Sequence, residues 1–229
     1  MPTNTPFSLI ISDLHLSDSR DDASRCFLDF MTHTAPHAEK LFIIGDFFEF
    51  WLGDDDVSAF NQQIINALKS LNAKGVKLYF IHGNRDFLIG KKFAGETGMT
   101  LLKDPTVLTL YNHKLLLSHG DIYCTDDLDY QRLRRLCHNP YLQWCFLHLP
   151  LFIRLKIALY MRKKSAATRK PVEITDVNHD AIVNAFHPLN VNNSDCFRYV
   201  LGDWHDTGSA LKIDKSGIQF VEVTVNSNA

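Results

Sequence analysis

The sequence predicts an α/β protein: a sheet of apolar strands covered by helices, with a further helical segment inserted into it. Three features predict this. Over the first 120 residues, short apolar runs alternate with stretches whose apolar residues recur at helical spacing. Across 124–171 helical and then basic character replaces the strands. The last third returns to strand-like runs. Strands that are apolar nearly throughout belong to a sheet buried on both faces, and the alternating helices supply the cover.

The elements follow in order. Leu9, Ile10 and Ile11 mark a first strand over 8–12. Residues 23–34 bring Ala23, Phe27, Phe30 and Met31 to one face of a helix. The runs 41–44 and 78–81 are further strands, separated by a helix over 58–74 that collects Phe60, Ile64, Ile65, Leu68 and Leu71 on one face before Gly75 ends it. Segments 106–111 and 114–118, joined by Asn112 and His113, read as a hairpin. Residues 126–136 are helical and Asn139-Pro140 breaks the helix. A nearly all-apolar stretch over 141–153 comes next, followed by Arg154, Lys156, Arg162, Lys163, Lys164, Arg169 and Lys170 without an intervening acid. This stretch reads as a helical cap, 124–171, inserted in a single domain, 1–229. It reads equally as a core helix followed by a solvated basic face. A helix over 176–186 and strands over 198–201, 209–213 and 218–225 complete the chain, the last two joined by a Lys215-Ser216-Gly217 turn.

Composition narrows the function classes. A formal charge of −2 speaks against non-specific nucleic-acid binding. The five cysteines are odd in number, widely spaced and lack a C-x-x-C pair, the pattern of reduced thiols in a cytosolic protein. No run of about 18 apolar residues is present, so no membrane span is expected. Met1 to Pro6 lacks the basic-then-apolar order of a signal peptide.

Four polar blocks each follow an apolar run: Asp13-Leu14-His15, Gly45-Asp46, Gly83-Asn84-Arg85-Asp86 and His119-Gly120-Asp121. Side chains at strand ends face a common rim. Carboxylate, imidazole and amide oxygen form a mixed ligand set suited to Mn²⁺, Fe or Zn²⁺. Two such ions about 3.5–4 Å apart clamp a phosphate and activate a water. Singly, Asp-x-His and Gly-Asp are ordinary turn chemistry; Gly-Asn-Arg-Asp is more selective, because it sets an amide ligand beside a guanidinium able to grip phosphate through two hydrogen bonds. Asp54-Asp55-Asp56 reads as a solvated loop before a helix rather than a metal site.

In this order the blocks resemble the calcineurin-like metallophosphoesterases. The longer strings 12–16, 45–56, 81–90, 118–127 and 200–205 are similar to the branch that hydrolyses UDP-2,3-diacylglucosamine in lipid A biosynthesis, a similarity that runs over nearly the whole chain. The resemblance implies a two-sheet sandwich flanked by helices, capped by 124–171, and a Mn²⁺-dependent pyrophosphohydrolase using two ions. By it, Asp13 and His15 hold the first ion, Asp46 bridges, and Asn84 and His119 hold the second. An activated water attacks one phosphorus, releasing UMP and 2,3-diacylglucosamine 1-phosphate, while Arg85 stabilises the transferring phosphoryl group. Asn84, Arg85, Asp127, Tyr130, Arg162, Ser165 and Lys170 contact substrate. The apolar-basic cap suits acyl chains and an anionic phosphate, and implies attachment to the cytoplasmic face of the inner membrane, with no nucleic-acid partner.

One departure stands out. The family closes its site with Gly-His-x-His after a short apolar strand, giving one imidazole to each metal. Here the 176–186 helix runs straight into His187-Pro188-Leu189-Asn190 and the motif is missing. Three readings follow: a segment lost from an otherwise matching chain, an inactive relative that only binds lipid or nucleotide, or substitution by His187 or His205. A phosphoesterase acting on nucleotides or nucleic acid is the rival within the enzyme class.

Overall fold

The computed structural model describes residues 5–167, 176–186 and 196–225. In chain order its elements are β1 (Phe7–Ile11), α1 (Asp21–His33), β2 (Lys40–Ile44), α2 (Ala59–Ala73), β3 (Lys77–Ile81), α3 (Lys91–Thr97), β4 (Met99–Leu102), β5 (Thr106–Leu110) and β6 (His113–Leu117). Then come α4 (Leu128–Cys137), α5 (Pro140–Leu147), α6 (Leu151–Ala167), α7 (His179–Phe186), β7 (Thr207–Asp214) and β8 (Gly217–Thr224).

Six strands form one sheet in the order β4-β3-β2-β1-β7-β8, and β5 and β6 form a second. The first four strands run parallel; β7 and β8 are antiparallel additions at the β1 edge. Successive side chains of a strand point to opposite faces, and each face of the large sheet has its own partner. Ile10, Phe42, Ile44, Ile81, Leu211 and Ile213 pack against Leu110 and Leu117 of the small sheet. Leu9, Ile11, Leu41, Ile43, Leu78 and Phe80 are buried on the other face, where α1 meets β7 and β8 and α2 meets β3. The result is a two-sheet sandwich with helices outside, the predicted architecture.

The helices carry the expected faces. Phe27 of α1 meets Phe47 edge-on at 5.1 Å, and Phe30 meets Trp204 in the same way at 5.6 Å. Ser58 caps α2 by accepting the Asn61 amide at 3.3 Å. Helix α3 has no cap of its own, because it starts at Gly90. Asp54 comes across to serve instead, accepting from the amides of Gly90, Lys92 and Phe93 at 3.0–3.1 Å and from the Trp51 indole at 3.0 Å. The first acid of the Asp54–Asp56 triplet is therefore a tertiary anchor, not part of a solvated loop.

Two expectations need correction. The hairpin turns at Tyr111-Asn112, one residue early, both residues being left-handed (φ 49° and 72°). Residues 198–201 form no strand. The run joins neither sheet and stays irregular, and Phe197 and Val200 remain exposed.

The chain divides into two compact units, Met1–His119 with Leu201–Ala229, and Gly120–Val200. The second contains α4 to α7, and the 124–171 segment falls within it. Asp121 organises this unit: its Oδ2 accepts from the Tyr130 hydroxyl and from Arg134 Nε, both at 2.7 Å. No residue of α4 or α5 is buried, and Tyr141, Trp144, Phe152 and Tyr160 are all more than half exposed. Arg154 is buried, whereas Lys156, Arg162, Lys163 and Lys164 are exposed.

Replacing Asp54 with Ala removes a charged acceptor from three helix-start amides. The expected loss is about 2 kcal/mol, a Tm drop of roughly 4–8 °C by calorimetry. A shift under about 1 °C would contradict the capping role.

Candidate metal centre

The site lies at the carboxyl ends of β1, β2 and β3 and the end of β6, the edge where open α/β sheets bind ligands. Its backbone is forced into unusual conformations. Asp13, His15 and Asp46 have φ of 57°, 49° and 50°, a region that costs a non-glycine residue about 1–2 kcal/mol. Interloop hydrogen bonds hold them there: the Asp13 amide to the Gly45 carbonyl (3.2 Å), His15 to Asp46 (2.9 Å) and Leu16 to Phe47 (2.9 Å). The loops after β1 and β2 thus run side by side and turn their polar side chains to one rim.

Two glycines let the loops close. A Cβ on Gly83 would lie 2.3 Å from both the amide nitrogen and Oδ1 of Asp46. One on Gly45 would lie 2.6 Å from the Cα of Gly83 and 2.7 Å from His119 Nδ1. Asp86, fully buried, ties the same loops together by accepting from the amides of Phe47 and Gly83, each at 2.8 Å.

These constraints bring the predicted ligands together. Asp13, Asp46 and His119 each offer a donor atom within 4.8 Å of the others, and so do Asp13, His15 and Asp203. His119 Nε2 lies 3.6 Å from Asp46 Oδ1 and 3.5 Å from the Asn84 amide. Its Nδ1 faces the Ile44 carbonyl at 3.3 Å; donating there leaves Nε2 with its lone pair toward the cluster. His15 Nε2 lies 3.9 Å from Asp46 Oδ2, and its Nδ1 is buried with no hydrogen-bond partner.

The electrostatics favour a cation. Burial pushes the Asp46 carboxyl from its ordinary 3.8 up to about 7, and burial also raises Asp13 and Asp86. Burial, then the nearby Arg85 charge, lowers His15, keeping it a neutral donor. Buried carboxylates beside two imidazoles fit a divalent ion, which would draw the carboxyls back to their charged form.

The family of the chain is shown by comparison. A calcineurin-like phosphoesterase family model matches residues 8–190. The chain belongs to the calcineurin-like phosphoesterase family. Within it, the chain is 44% identical over 237 residues to the UDP-2,3-diacylglucosamine hydrolase of Edwardsiella ictaluri, covering 94% of this chain and 92% of that protein. It is 45% identical to the protein of the same name from Histophilus somni over 93% of this chain and 99% of the other. For the Yersinia pseudotuberculosis protein of that name the figures are 44%, 93% and 98%. The 237-residue alignment is longer than the 229-residue chain, so it spans positions that the relative fills and this chain does not. Membership in this family implies use of divalent metal.

Among the expected site residues, Asp13, His15, Asp46, Asn84, Arg85 and His119 come together. Asp127 and Tyr130 belong to the helical unit. There Asp127 is buried and caps α4 through the Tyr130 amide at 2.9 Å, and the Tyr130 hydroxyl bonds Asp121. Arg162 is exposed on α6. Ser165 lies on the last turns of α6 with its side chain outside the description, and Lys170 and His187 are outside the described residues. His205 turns elsewhere, its Nδ1 3.0 Å from Arg20 and 3.4 Å from Asp22.

Three residues were not anticipated. Glu49, buried, accepts from Arg85 Nη1 at 2.6 Å and faces His15 Nδ1 at 3.8 Å, so it aims both groups. Asp86 braces the loops and was visible as the last residue of Gly-Asn-Arg-Asp. Asp203 was visible only within the string 200–205.

A raised Asp46 has a definite sign. The metal-free folded state keeps a proton there that the unfolded chain has lost, so that contribution to stability falls as pH rises from about 4 to about 7. Metal binding needs the carboxylate and strengthens over the same window. The Tm increment from saturating Mn²⁺ should therefore grow by several degrees between pH 5 and 7.5 in the wild type and clearly less in Asp46→Asn, by scanning fluorimetry. An increment that shrinks with pH would contradict this assignment.

Proposed function

We propose that the chain is a Mn²⁺-dependent pyrophosphohydrolase that cleaves UDP-2,3-diacylglucosamine to UMP and 2,3-diacylglucosamine 1-phosphate. The observation that carries this reading is the 44–45% identity, nearly end to end, to relatives bearing that substrate in their names. The site's oxygen-rich donors, gathered around Asp46, support it.

When bound, two divalent cations supply Lewis-acid polarisation of the phosphate and lower the pKa of a water for in-line attack. The chain's own groups do the rest. Asp13, His15, Asp46, Asn84 and His119 are the residues that would hold these cations. Arg85, held by Glu49 at 2.6 Å, keeps a fixed guanidinium beside Asp46, with Nε 3.8 Å from Oδ2. A preorganised cation of this kind stabilises charge that develops on the phosphoryl oxygens and needs no reorganisation during the reaction.

The 124–171 segment acts as the cap for the lipid. Its exposed Tyr141, Trp144, Phe152 and Tyr160 suit acyl chains, and Arg162, Lys163 and Lys164 suit the phosphate. Asp127, Tyr130, Arg162, Ser165 and Lys170 contact the sugar and phosphate. No described helix is long and apolar enough to cross a membrane. The same aromatic and basic side chains suit peripheral binding at the cytoplasmic face of the inner membrane.

The test is turnover of UDP-2,3-diacylglucosamine in mixed micelles, followed by UMP release. Activity with Mn²⁺, loss on chelation and recovery on adding Mn²⁺ back are expected. Arg85→Ala should lower kcat by about 10²–10³, with Arg85→Lys recovering little because an ammonium lacks the planar fork. Faster hydrolysis of a soluble nucleotide diester than of the lipid, or tight lipid binding without turnover, would overturn the proposal.

A further inference from the structure

We infer that Asp203 is a metal ligand, completing the first cation position with Asp13 and His15 and tuning it toward Mn²⁺ and Mg²⁺. The inference rests on the two-cation reading of the site and adds a residue to it. Divalent ions of this class take four to six donors. Asp13 and His15, even with the shared Asp46, leave the first position short.

Asp203 supplies the next donor. An oxygen of its carboxylate, a donor atom of Asp13 and a ring nitrogen of His15 all lie within 4.8 Å of one another. Donors on opposite sides of an octahedral ion with bonds of about 2.1 Å are about 4.2 Å apart. Small side-chain rotations therefore close the triad on one ion. The His15 ring is mostly buried, its Nδ1 facing Glu49 at 3.8 Å and its Nε2 3.9 Å from Asp46 Oδ2, so the protein itself aims the ring at this cluster.

The position of Asp203 is built, although the residue itself is exposed. The next residue, Trp204, is fully buried and donates its amide to the Asp13 carbonyl at 3.3 Å. Its indole meets Phe30 edge-on and fills the space beside Gly208, where a Cβ would come within 2.3–2.6 Å of ring atoms. Arg20 donates to the Trp204 carbonyl. The backbone at Asp203 is thus fastened beside that of Asp13 through its neighbour.

The chemistry of the set follows. Asp13, Asp46 and Asp203 with a single imidazole make a hard, oxygen-rich shell, which suits Mn²⁺ and Mg²⁺ better than a nitrogen-rich shell suited to Zn²⁺.

The test is calorimetric titration of metal-free protein with Mn²⁺, paired with the Mn²⁺ resonance spectrum of the loaded sites. Wild type, Asp203→Asn, Asp203→His and the charge control Asp206→Asn are compared. Wild type should bind two ions with a spin-coupled spectrum. Asp203→Asn should weaken one ion by about 100-fold and abolish the coupling, a loss at least as large as removing a group that only orients a ligand. Asp206→Asn should stay within about threefold of wild type. Asp203→His should recover the second ion and shift preference from Mn²⁺ toward Zn²⁺. Two ions bound equally well by wild type and Asp203→Asn would overturn the inference and leave the hydrolase reading standing. So would equal losses in Asp203→Asn and Asp206→Asn. Failure of wild type to bind metal would overturn both.

Discussion

The contact between Gly45 and Gly83 is the constraint on which the site depends. Those two backbones approach so closely that any side chain at either position would displace Asp46 or His119. Because they touch, the ends of β2 and β3 deliver Asp46, Asn84 and Arg85 to one place, with His119 beside them. The strained Asp13, His15 and Asp46 persist because the loop-to-loop hydrogen bonds and the Asp86 brace over-determine them. The core stabilises the sheet, and the sheet holds the glycines in contact.

That geometry sets the electrostatic problem as well as the ligand positions. Closing the loops buries Asp46 and Asp86 and partly buries Asp13, which raises their pKa values together. Without a cation the cluster shares protons; with one it becomes a set of charged donors. Glu49 and Arg85 stand just outside, a buried carboxylate and a half-exposed guanidinium, the pair orienting His15 on one side and fixing the guanidinium on the other. Binding, orientation and charge stabilisation therefore come from one arrangement.

Much of this was legible in the sequence because the informative residues follow directly on strands. An apolar run ending in Asp-x-His, Gly-Asp or Gly-Asn-Arg-Asp states both its element and its rim position, and the two-sheet sandwich followed from the same order. Roles that depend on distant segments were not legible. Asp54 looked like one acid in a loop, and only the arrival of α3 beneath it makes it a cap. Asp203 looked like part of a string, and its place is set by Trp204 packing on Phe30 and Gly208. Residues 198–201 had strand composition but pair with no strand. Glu49 lacked a signal of its own, since Phe-Phe-Glu-Phe does not say which way the carboxylate turns. The missing Gly-His-x-His was legible as an absence, but that Asp203 lies beside Asp13 and His15 could be seen only in three dimensions.

The most direct measurement is anomalous diffraction at the manganese edge from crystals grown with Mn²⁺. Two peaks about 3.5–4 Å apart, with the Asp46 carboxylate between them, are predicted. A single peak away from Asp46, or no peak, would contradict the two-cation centre.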